Sequence, residues 1–206
     1  MPDGRAVLVA GFTGSGKSAW VIRQVRGAPR LLVWDSMGEW CRRELVRPVP
    51  TLRELAALIR ADLRAPAARF RYGYTGAVTR AGFDGFCRLA WVWLRWRPGA
   101  TLVVEELADV TSPGKAPPAW GEIVRKGRHV GAQVYALTQR PAESDKTIVS
   151  NAAAIHSGFM GFPDDRAYMA RCLDVRLRDI ERLRPLDWIE RDMRTRELRR
   201  GRLVFR

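Results

Sequence analysis

Residues 11–18 read GFTGSGKS and decide the fold, because they match the pattern Gly-x-x-x-x-Gly-Lys-Ser/Thr in full. The apolar run at residues 5–10 (RAVLVA) predicts a buried strand before this octapeptide, and a helix is predicted from residue 17 to about residue 26. Glycines let such a loop curl so that successive backbone N–H groups point at phosphate oxygens. The helix that follows adds the positive end of its dipole. This segment therefore predicts a loop that binds nucleotide phosphates.

Each part of the loop has an expected role. The predicted nucleotide contacts are Gly11, Phe12, Thr13, Gly14, Ser15, Gly16, Lys17 and Ser18. We expect Lys17 to reach the β- and γ-phosphates and the Ser18 hydroxyl to bind Mg²⁺. A plain glycine-rich turn gives no reason for a Lys-Ser pair at its end. ATP and Mg²⁺ are accordingly the predicted cofactors.

The rest of the chain alternates between strand and helix patterns. Strands are predicted at residues 30–35, 69–74, 101–105, 132–138 and 155–160, and helices at residues 51–62, 82–96, 119–128 and 145–153. Beyond Pro163 the pattern predicts short helices and a terminal hairpin near residues 197–205. Such alternation is typical of an α/β fold with a mostly parallel central sheet flanked by helices.

Four residues follow or end predicted strands: Gly11, Asp35, Glu105 and Gln139. Ligands bind to open α/β sheets outside the carboxyl ends of the strands, so we expect these residues to gather at one edge. For Asp35, which Glu39 follows closely, the sequence leaves two roles open. It either orients water or ribose, or it caps a turn or helix.

The stretch at residues 102–106 (LVVEE) has the apolar residues and paired acids of a Walker B strand. We expect Glu105 to hold Mg²⁺, mostly through water, and Glu106 to polarise the attacking water. The first acid is more usually Asp, and the longer Glu105 side chain departs from that pattern. Gln139 ends the strand pattern AQVYALT, where it either contacts the γ-phosphate or makes only a strand-end hydrogen bond.

The composition points to a polyanionic partner, because the net charge is +14 and the isoelectric point is about 11.0. No secretory signal and no apolar run of about 20 residues is evident, so we expect an intracellular protein without stable membrane insertion. The aromatic residues Phe83, Phe86, Trp91, Trp93 and Trp96 follow helical spacing, which favours core packing over base stacking.

The stretch at residues 125–141 (RKGRHVGAQVYALTQRP) resembles the FtsK–HerA superfamily of DNA-pumping ATPases. Those proteins carry an Arg-x-x-Gly turn, a strand and then Thr-Gln-Arg-Pro or a close variant. The Walker A loop, the Glu-Glu pair and this stretch occur in the superfamily's order and cover residues 5 to about 160. The short length most resembles the genome-packaging ATPases of tailless, membrane-containing viruses.

The resemblance implies a RecA-like P-loop NTPase domain at residues 1–162 with a small basic C-terminal appendage, residues 163–206, packed on it. It implies that Gln139 is a polar sensor and that an arginine from a neighbouring subunit completes the site. Arg125 and Arg128 lie near the matching turn, and we favour Arg128, although many arginines in this chain are simply solvated. Such an arginine stabilises the charge that develops on the γ-phosphoryl oxygens.

The implied function is ATP-driven translocation of double-stranded DNA into a viral procapsid by a homo-oligomeric ring. The implied partners are DNA and capsid or portal-vertex proteins, and the implied location is the host cytoplasm or the virion. Three alternatives stay open: a Zot-like phage assembly ATPase, which usually carries a membrane segment, a small-molecule P-loop kinase, and a nucleotide-dependent scaffold protein.

Overall fold

The computed structural model describes residues 4–205 and contains a sheet of nine strands. The strands are β1 (Arg5–Ala10), β2 (Arg30–Trp34), β3 (Arg47–Val49), β4 (Phe70–Tyr74), β5 (Thr101–Val104), β6 (Gln133–Thr138), β7 (Ala154–Gly158), β8 (Asp187–Asp192) and β9 (Leu198–Arg202). The helices are α1 (Lys17–Val25), α2 (Glu39–Arg42), α3 (Leu52–Arg64), α4 (Arg80–Trp96), α5 (Leu107–Val110), α6 (Pro118–Lys126), α7 (Thr147–Asn151), α8 (Pro163–Leu173) and α9 (Leu177–Glu181). A 3₁₀ turn, Gly127–Val130, follows α6.

The strand order is β3-β4-β2-β5-β6-β1-β7-β8-β9. All pairs from β3 to β7 are parallel, and β8 and β9 add an antiparallel hairpin at one edge. The predicted α/β fold with a mostly parallel sheet and flanking helices is therefore confirmed. Within residues 4–205 no helix is both long enough and apolar enough to cross a lipid bilayer.

The sheet is buried on both faces, as parallel sheets usually are. Successive side chains of a strand point to opposite faces, so β1 serves two core layers. Val7 and Val9 pack with α1, whereas Leu8 and Ala10 face the larger layer that contains α3, α4 and α6. Burying β1 from both sides fixes the point at which the chain leaves the sheet at Gly11.

The C-terminal segment continues this sheet. Strand β8 pairs with β7, with Gly158 opposite Trp188, and β9 pairs with β8. The hairpin predicted near residues 197–205 therefore begins about ten residues earlier, at Asp187. The division of the chain at residue 162 stays a prediction, and its outer limits, residues 1–3 and 206, lie outside the described residues.

The sequence predicted the start of α3 correctly but missed three short elements. Thr51 caps α3 as predicted, because its hydroxyl accepts a hydrogen bond of 3.1 Å from the Glu54 backbone N–H. The sequence analysis missed α2, β3 and α5, which have three or four residues each. Elements this short carry less than one full period of a hydrophobic pattern, so periodicity does not detect them.

The aromatic helix α4 is largely a core element. Phe83, Phe86 and Trp93 are fully buried, in agreement with the predicted core packing. Trp91 is half-buried, and Trp96 is 66% exposed at the last turn, so core packing was wrong for Trp96. Trp96 follows Arg95 and precedes Arg97 at the helix end, where the core layer stops.

A buried carboxylate joins α3 to α4. Asp62 accepts hydrogen bonds from Trp93 Nε1 at 3.0 Å, Arg97 Nε at 2.8 Å and the Ala67 backbone N–H at 3.0 Å. Its side chain is 2% exposed. Burial alone raises the pKa of Asp62, but the three hydrogen bonds and the Arg97 charge outweigh it and the pKa is lowered overall.

We expect Asp62→Asn to lower the free energy of unfolding by about 3 kcal/mol, because it leaves the Arg97 charge without its buried partner. Urea unfolding at neutral pH measures this change. Since the folded pKa lies below the unfolded value, the Asp62 contribution is complete above the unfolded pKa and disappears as the pH falls through the folded one. Glu122→Gln, which breaks an exposed pair with Lys126, is the control and should leave the midpoint unchanged. An equal loss of unfolding free energy in both variants would contradict a stabilising role for the buried hydrogen bonds of Asp62.

Candidate active site

The loop between β1 and α1 has a shape that only glycine permits at two positions. Gly14 and Gly16 have φ angles of 77° and 91°, in the left-handed region. A Cβ atom on Gly11 would lie 2.3 Å from Ser15 Oγ, and one on Gly16 would lie 2.5 Å from a Leu203 methyl carbon. The loop is therefore fixed by backbone conformation and by close packing together.

Ser18 and Glu105, the two residues predicted to hold the metal, are in direct contact. The Ser18 hydroxyl donates a hydrogen bond of 3.1 Å to Glu105 Oε1, across 87 residues of sequence. Glu105 is only 6% exposed, and burial raises its pKa, helped by the nearby Asp35 carboxylate and opposed by the Ser18 hydroxyl. A hydroxyl and a carboxylate are the hard oxygen ligands that Mg²⁺ takes beside nucleotide phosphates. The residues therefore fit Mg²⁺, and the longer Glu105 side chain still reaches the Ser18 hydroxyl.

Glu106 has an unusual backbone conformation at the start of α5. Its φ and ψ angles are 46° and 63°, the left-handed region that residues with a Cβ rarely adopt. Its Oε1 accepts a 2.7 Å hydrogen bond from the Gln139 backbone N–H. Strain of about 1–3 kcal/mol at one residue is typical of functional sites. This turn directs the Glu106 side chain toward the end of β6, whereas the Glu105 side chain contacts Ser18.

Gln139 links the phosphate-binding loop to Glu106. Its side-chain Oε1 accepts a 2.7 Å hydrogen bond from the Thr13 hydroxyl, while its backbone N–H binds Glu106. The sequence placed Gln139 at the correct edge of the sheet, but it gave no sign of the bond to Thr13. Both side chains line the cleft, so a phosphate bound in the loop would compete for this hydrogen bond.

The four strand-end residues meet at one edge, as predicted. A cleft of about 520 Å³ runs along this edge. Its lining residues are Phe12, Thr13, Gly14, Gly16, Lys17, Ser18, Ala19, Met37, Glu39, Arg42, Arg43, Glu105, Glu106, Gln139, Leu186 and Phe205. The sequence analysis did not find Arg42, Arg43, Leu186 or Phe205, since none of them belongs to a recognisable motif.

Asp35 caps a turn, which is one of the two roles that the sequence left open for it; the other was to orient water or ribose. It is fully buried and accepts hydrogen bonds from the backbone N–H groups of Trp40 at 3.3 Å and Cys41 at 3.0 Å. These bonds hold the turn that leads into α2. Asp35 therefore positions Glu39 at the cleft and does not itself line it.

The loop after Gln139 is anchored beneath the site. Arg140 Nε donates a 2.8 Å hydrogen bond to Asp165, which is fully buried at the start of α8. The Arg140 guanidinium also lies 4.4 Å from the centre of the Phe162 ring, and Phe162 contacts Phe12 of the phosphate-binding loop edge-on. Arg140 is thus held by the protein, which leaves Gln139 as the polar side chain at the strand end that faces the loop.

Arg125 and Arg128 lie away from the cleft that contains the phosphate-binding loop. They line a cavity of about 170 Å³ with Gly4 and Arg5, at the amino-terminal edge of the sheet. The six residues of β1 separate this edge from the phosphate-binding loop, a distance of about 20 Å. Neither arginine can reach its own γ-phosphate site, so any role of theirs in hydrolysis requires a neighbouring subunit.

Comparison with known proteins identifies relatives of the whole chain. No protein-family model matches it. Protein P9 of Pseudoalteromonas phage PM2 is 38% identical over 178 residues, which cover 85% of this chain and 78% of that protein. Two solved structures share the fold. The genome-packaging NTPase B204 of Sulfolobus turreted icosahedral virus 2, solved with AMPPCP, gives a TM-score of 0.80 at 13% identity over 99% of this chain and 100% of that one. VirB4 of Thermoanaerobacter pseudethanolicus gives 0.71 at 11% identity over 98% of this chain and 90% of that one.

The two solved structures have the same fold as this chain although their sequences are only 13% and 11% identical to it. Protein P9 is similar in sequence over most of the length of both proteins. The chain therefore belongs to the family of protein P9 of Pseudoalteromonas phage PM2.

Proposed function

We propose that this protein hydrolyses ATP to drive double-stranded DNA into a viral procapsid, as a homo-oligomeric ring. The observation that carries the proposal is the cleft in which the phosphate-binding loop, the Ser18–Glu105 pair, Glu106 and Gln139 converge. The likeness to a packaging NTPase solved with ATP analogues supports it.

Hydrolysis divides among four side chains. Lys17 binds the β- and γ-phosphates, and Ser18 with Glu105 would hold Mg²⁺, which would supply positive charge to the phosphoryl oxygens. Glu106 orients a water molecule and takes its proton as the water oxygen bonds to the γ-phosphorus. The bond from that phosphorus to the β–γ bridging oxygen breaks, which gives ADP and phosphate.

Gln139 reports the state of the nucleotide to the rest of the protein. Its side-chain Oε1 accepts a hydrogen bond from the Thr13 hydroxyl, and its backbone N–H donates one to Glu106. With a γ-phosphate, the Gln139 side chain leaves Thr13 and binds a phosphate oxygen. The same movement shifts its backbone N–H and so releases the Glu106 carboxylate for the attacking water.

A neighbouring subunit completes the site with an arginine. Arg128 and Arg125 are too far from their own loop, and in a ring the amino-terminal edge of one subunit can face the nucleotide cleft of the next. A positive charge at the γ-phosphoryl group contributes about 10³–10⁵ in rate in related phosphoryl transfers. This arrangement couples hydrolysis to assembly.

The net charge of +14 supports DNA as the substrate that is moved. A packaging motor must accept any sequence, so its contacts should fall on phosphates and not on base edges. Capsid or portal-vertex proteins are the proposed partners, and the host cytoplasm or the virion is the proposed location.

We expect duplex DNA to raise the ATPase rate of the assembled protein. The logarithm of DNA affinity should fall linearly with the logarithm of salt concentration, with a slope of about −0.9 per neutralised phosphate. Base sequence should matter little. Phosphate release with and without duplex at moderate salt, together with native mass spectrometry of the ring, measures both parts of the proposal.

Binding by itself decides nothing, because a protein of this charge adheres to any polyanion. Heparin at matched charge is the control and should bind without raising turnover. A kinase or a static scaffold would show the same ATPase rate with and without DNA. An unchanged ATPase rate at saturating duplex DNA, measured on confirmed oligomers, would therefore contradict the proposed DNA motor. It would leave only the proposal that the cleft binds a nucleotide.

A further inference from the structure

The C-terminal end of the chain returns to the phosphate-binding loop. Strands β7 and β1 are parallel neighbours, so the open end of the β8–β9 hairpin lies at the same sheet edge as Gly11. There the Leu203 backbone N–H donates a 2.9 Å hydrogen bond to the Leu186 carbonyl. Leu203 is 5% exposed, and its side chain fills the space that a Cβ on Gly16 would need. The tail is thus part of the wall of the loop.

Leu186 is held at this wall in an unfavourable conformation. Its φ angle is 74°, in the left-handed region that branched apolar residues rarely enter. Its side chain points at Gly16, whose missing Cβ would lie 3.2 Å from a Leu186 methyl carbon. Backbone strain of this kind persists only where the surroundings hold it, and it is concentrated at ligand sites.

Phe205 stands at the mouth of the cleft with most of its ring exposed. Its exposed fraction is 62%, yet it lines the same cleft as Lys17 and Glu106. Arg23, on α1, holds it from behind. The Arg23 guanidinium lies 5.6 Å from the centre of the Phe205 ring and donates a hydrogen bond to the Val204 carbonyl. An exposed aromatic ring that is supported on one side can accept a flat ligand on the other.

The strand order indicates toward which edge strands the base of a bound nucleotide points. The hydrolytic residues Glu106 and Gln139 follow β5 and β6, which lie on one side of β1. Leu186 and Phe205 adjoin β8 and β9, which lie on the other side. A triphosphate whose γ-phosphate lies near Glu106 therefore directs its base toward the tail.

We propose that Phe205, backed by Arg23 and flanked by Leu186, is the stacking platform for the nucleobase. This inference rests on the proposed function only in so far as the cleft binds a nucleoside triphosphate. Every base presents a π-face, and one base–aromatic stack typically changes affinity by about tenfold. The C-terminal tail then acts as a base-binding element that the phosphate-binding motif does not contain.

Comparison of ATP with inorganic tripolyphosphate, which has phosphates but no base, tests the platform. Calorimetry on the intact protein should show that Phe205→Ala weakens ATP binding by about tenfold and leaves tripolyphosphate binding unchanged. Phe205→Trp should restore ATP affinity, because it replaces one aromatic ring with another. Arg23→Ala should weaken ATP binding in the same selective way, as a positioning residue. Leu177→Ala, which removes another exposed apolar side chain, should change neither ligand.

Equal affinity of Phe205→Ala and the parent for ATP would overturn the platform, even if hydrolysis and DNA stimulation were intact. A matched loss of ATP and tripolyphosphate affinity would also overturn it, because that result places Phe205 in the support of the loop. Failure of the proposed function gives a different pattern, in which ATP binds selectively through Phe205 but DNA leaves its hydrolysis unchanged.

Discussion

Replacing Lys17 with alanine is expected to reduce ATP hydrolysis by at least about 10²–10³-fold, to the background of the preparation. Lys17 begins α1 and lines the cleft with Ser18 and Glu106. In the proposed mechanism its ammonium group binds the β- and γ-phosphates as a point charge, and no other lysine lines this cleft among residues 4–205. Phosphate release by purified, correctly folded protein measures the effect.

Glu106→Gln separates binding from chemistry and is the matched comparison. It keeps the shape of the side chain and the acceptor for the Gln139 N–H, but it cannot take a proton from water. We expect this variant to bind ATP normally and to turn over slowly, whereas Lys17→Ala loses both. Normal turnover in Lys17→Ala would contradict the ATPase. Normal turnover in Glu106→Gln, with none in Glu105→Gln, would reverse the roles of the two acids.

The sequence predicted those parts of the site that local chemistry determines. The phosphate-binding loop is a continuous octapeptide, and two of its glycines, Gly14 and Gly16, have positive φ angles that residues with a Cβ rarely adopt. The positions of Glu105 and Gln139 were predictable because each ends an apolar run and the ends of parallel strands share one edge, and Glu106 was predicted as the second acid of the pair. Thr51 and Glu54 gave the start of α3 by the same local logic.

The other parts of the site depend on contacts between residues that are far apart in the sequence. Thr13 and Gln139 lie 126 residues apart, and Arg23 contacts a carbonyl 181 residues later in the chain. Neither pair leaves a trace in the spacing of residues. Phe205 lines the cleft only because β8 and β9 join the sheet beside β7, an arrangement set by the antiparallel pairing of an edge hairpin. A single sequence carries no pattern from which this pairing follows.

The strain at Glu106 is a second feature that sequence does not show. The left-handed turn after β5 directs Glu106 away from the path of the strand and toward Gln139. Without it, the two adjacent acids would point to opposite sides of the sheet, as neighbours in a strand do. Because the backbone turns between them, Glu105 contacts Ser18 whereas Glu106 contacts the end of β6.

Arg128→Ala is expected to lower the ATPase rate by about 10³-fold or more in an assembled ring, although it leaves the subunit's own phosphate-binding loop intact. The reason is positional: Arg128 lies at the amino-terminal edge of the sheet, about the length of β1 from its own loop. ATP binding should be nearly normal in this variant. Arg125→Ala is the matched comparison, and it should retain most activity if Arg128 is the residue that acts in the neighbouring site.

Mixing the two inactive variants tests the shared site directly. A site is complete when an Arg128→Ala subunit supplies the loop and a Lys17→Ala subunit supplies the arginine. In an equal random mixture each position is filled correctly half the time, so about one quarter of the interfaces should be active. Activity well above either parent variant, in rings whose mixed composition is confirmed by native mass spectrometry, is the expected result. Mixed rings without activity would exclude Arg128, and the same mixture made with Arg125→Ala would then show whether that residue takes the role.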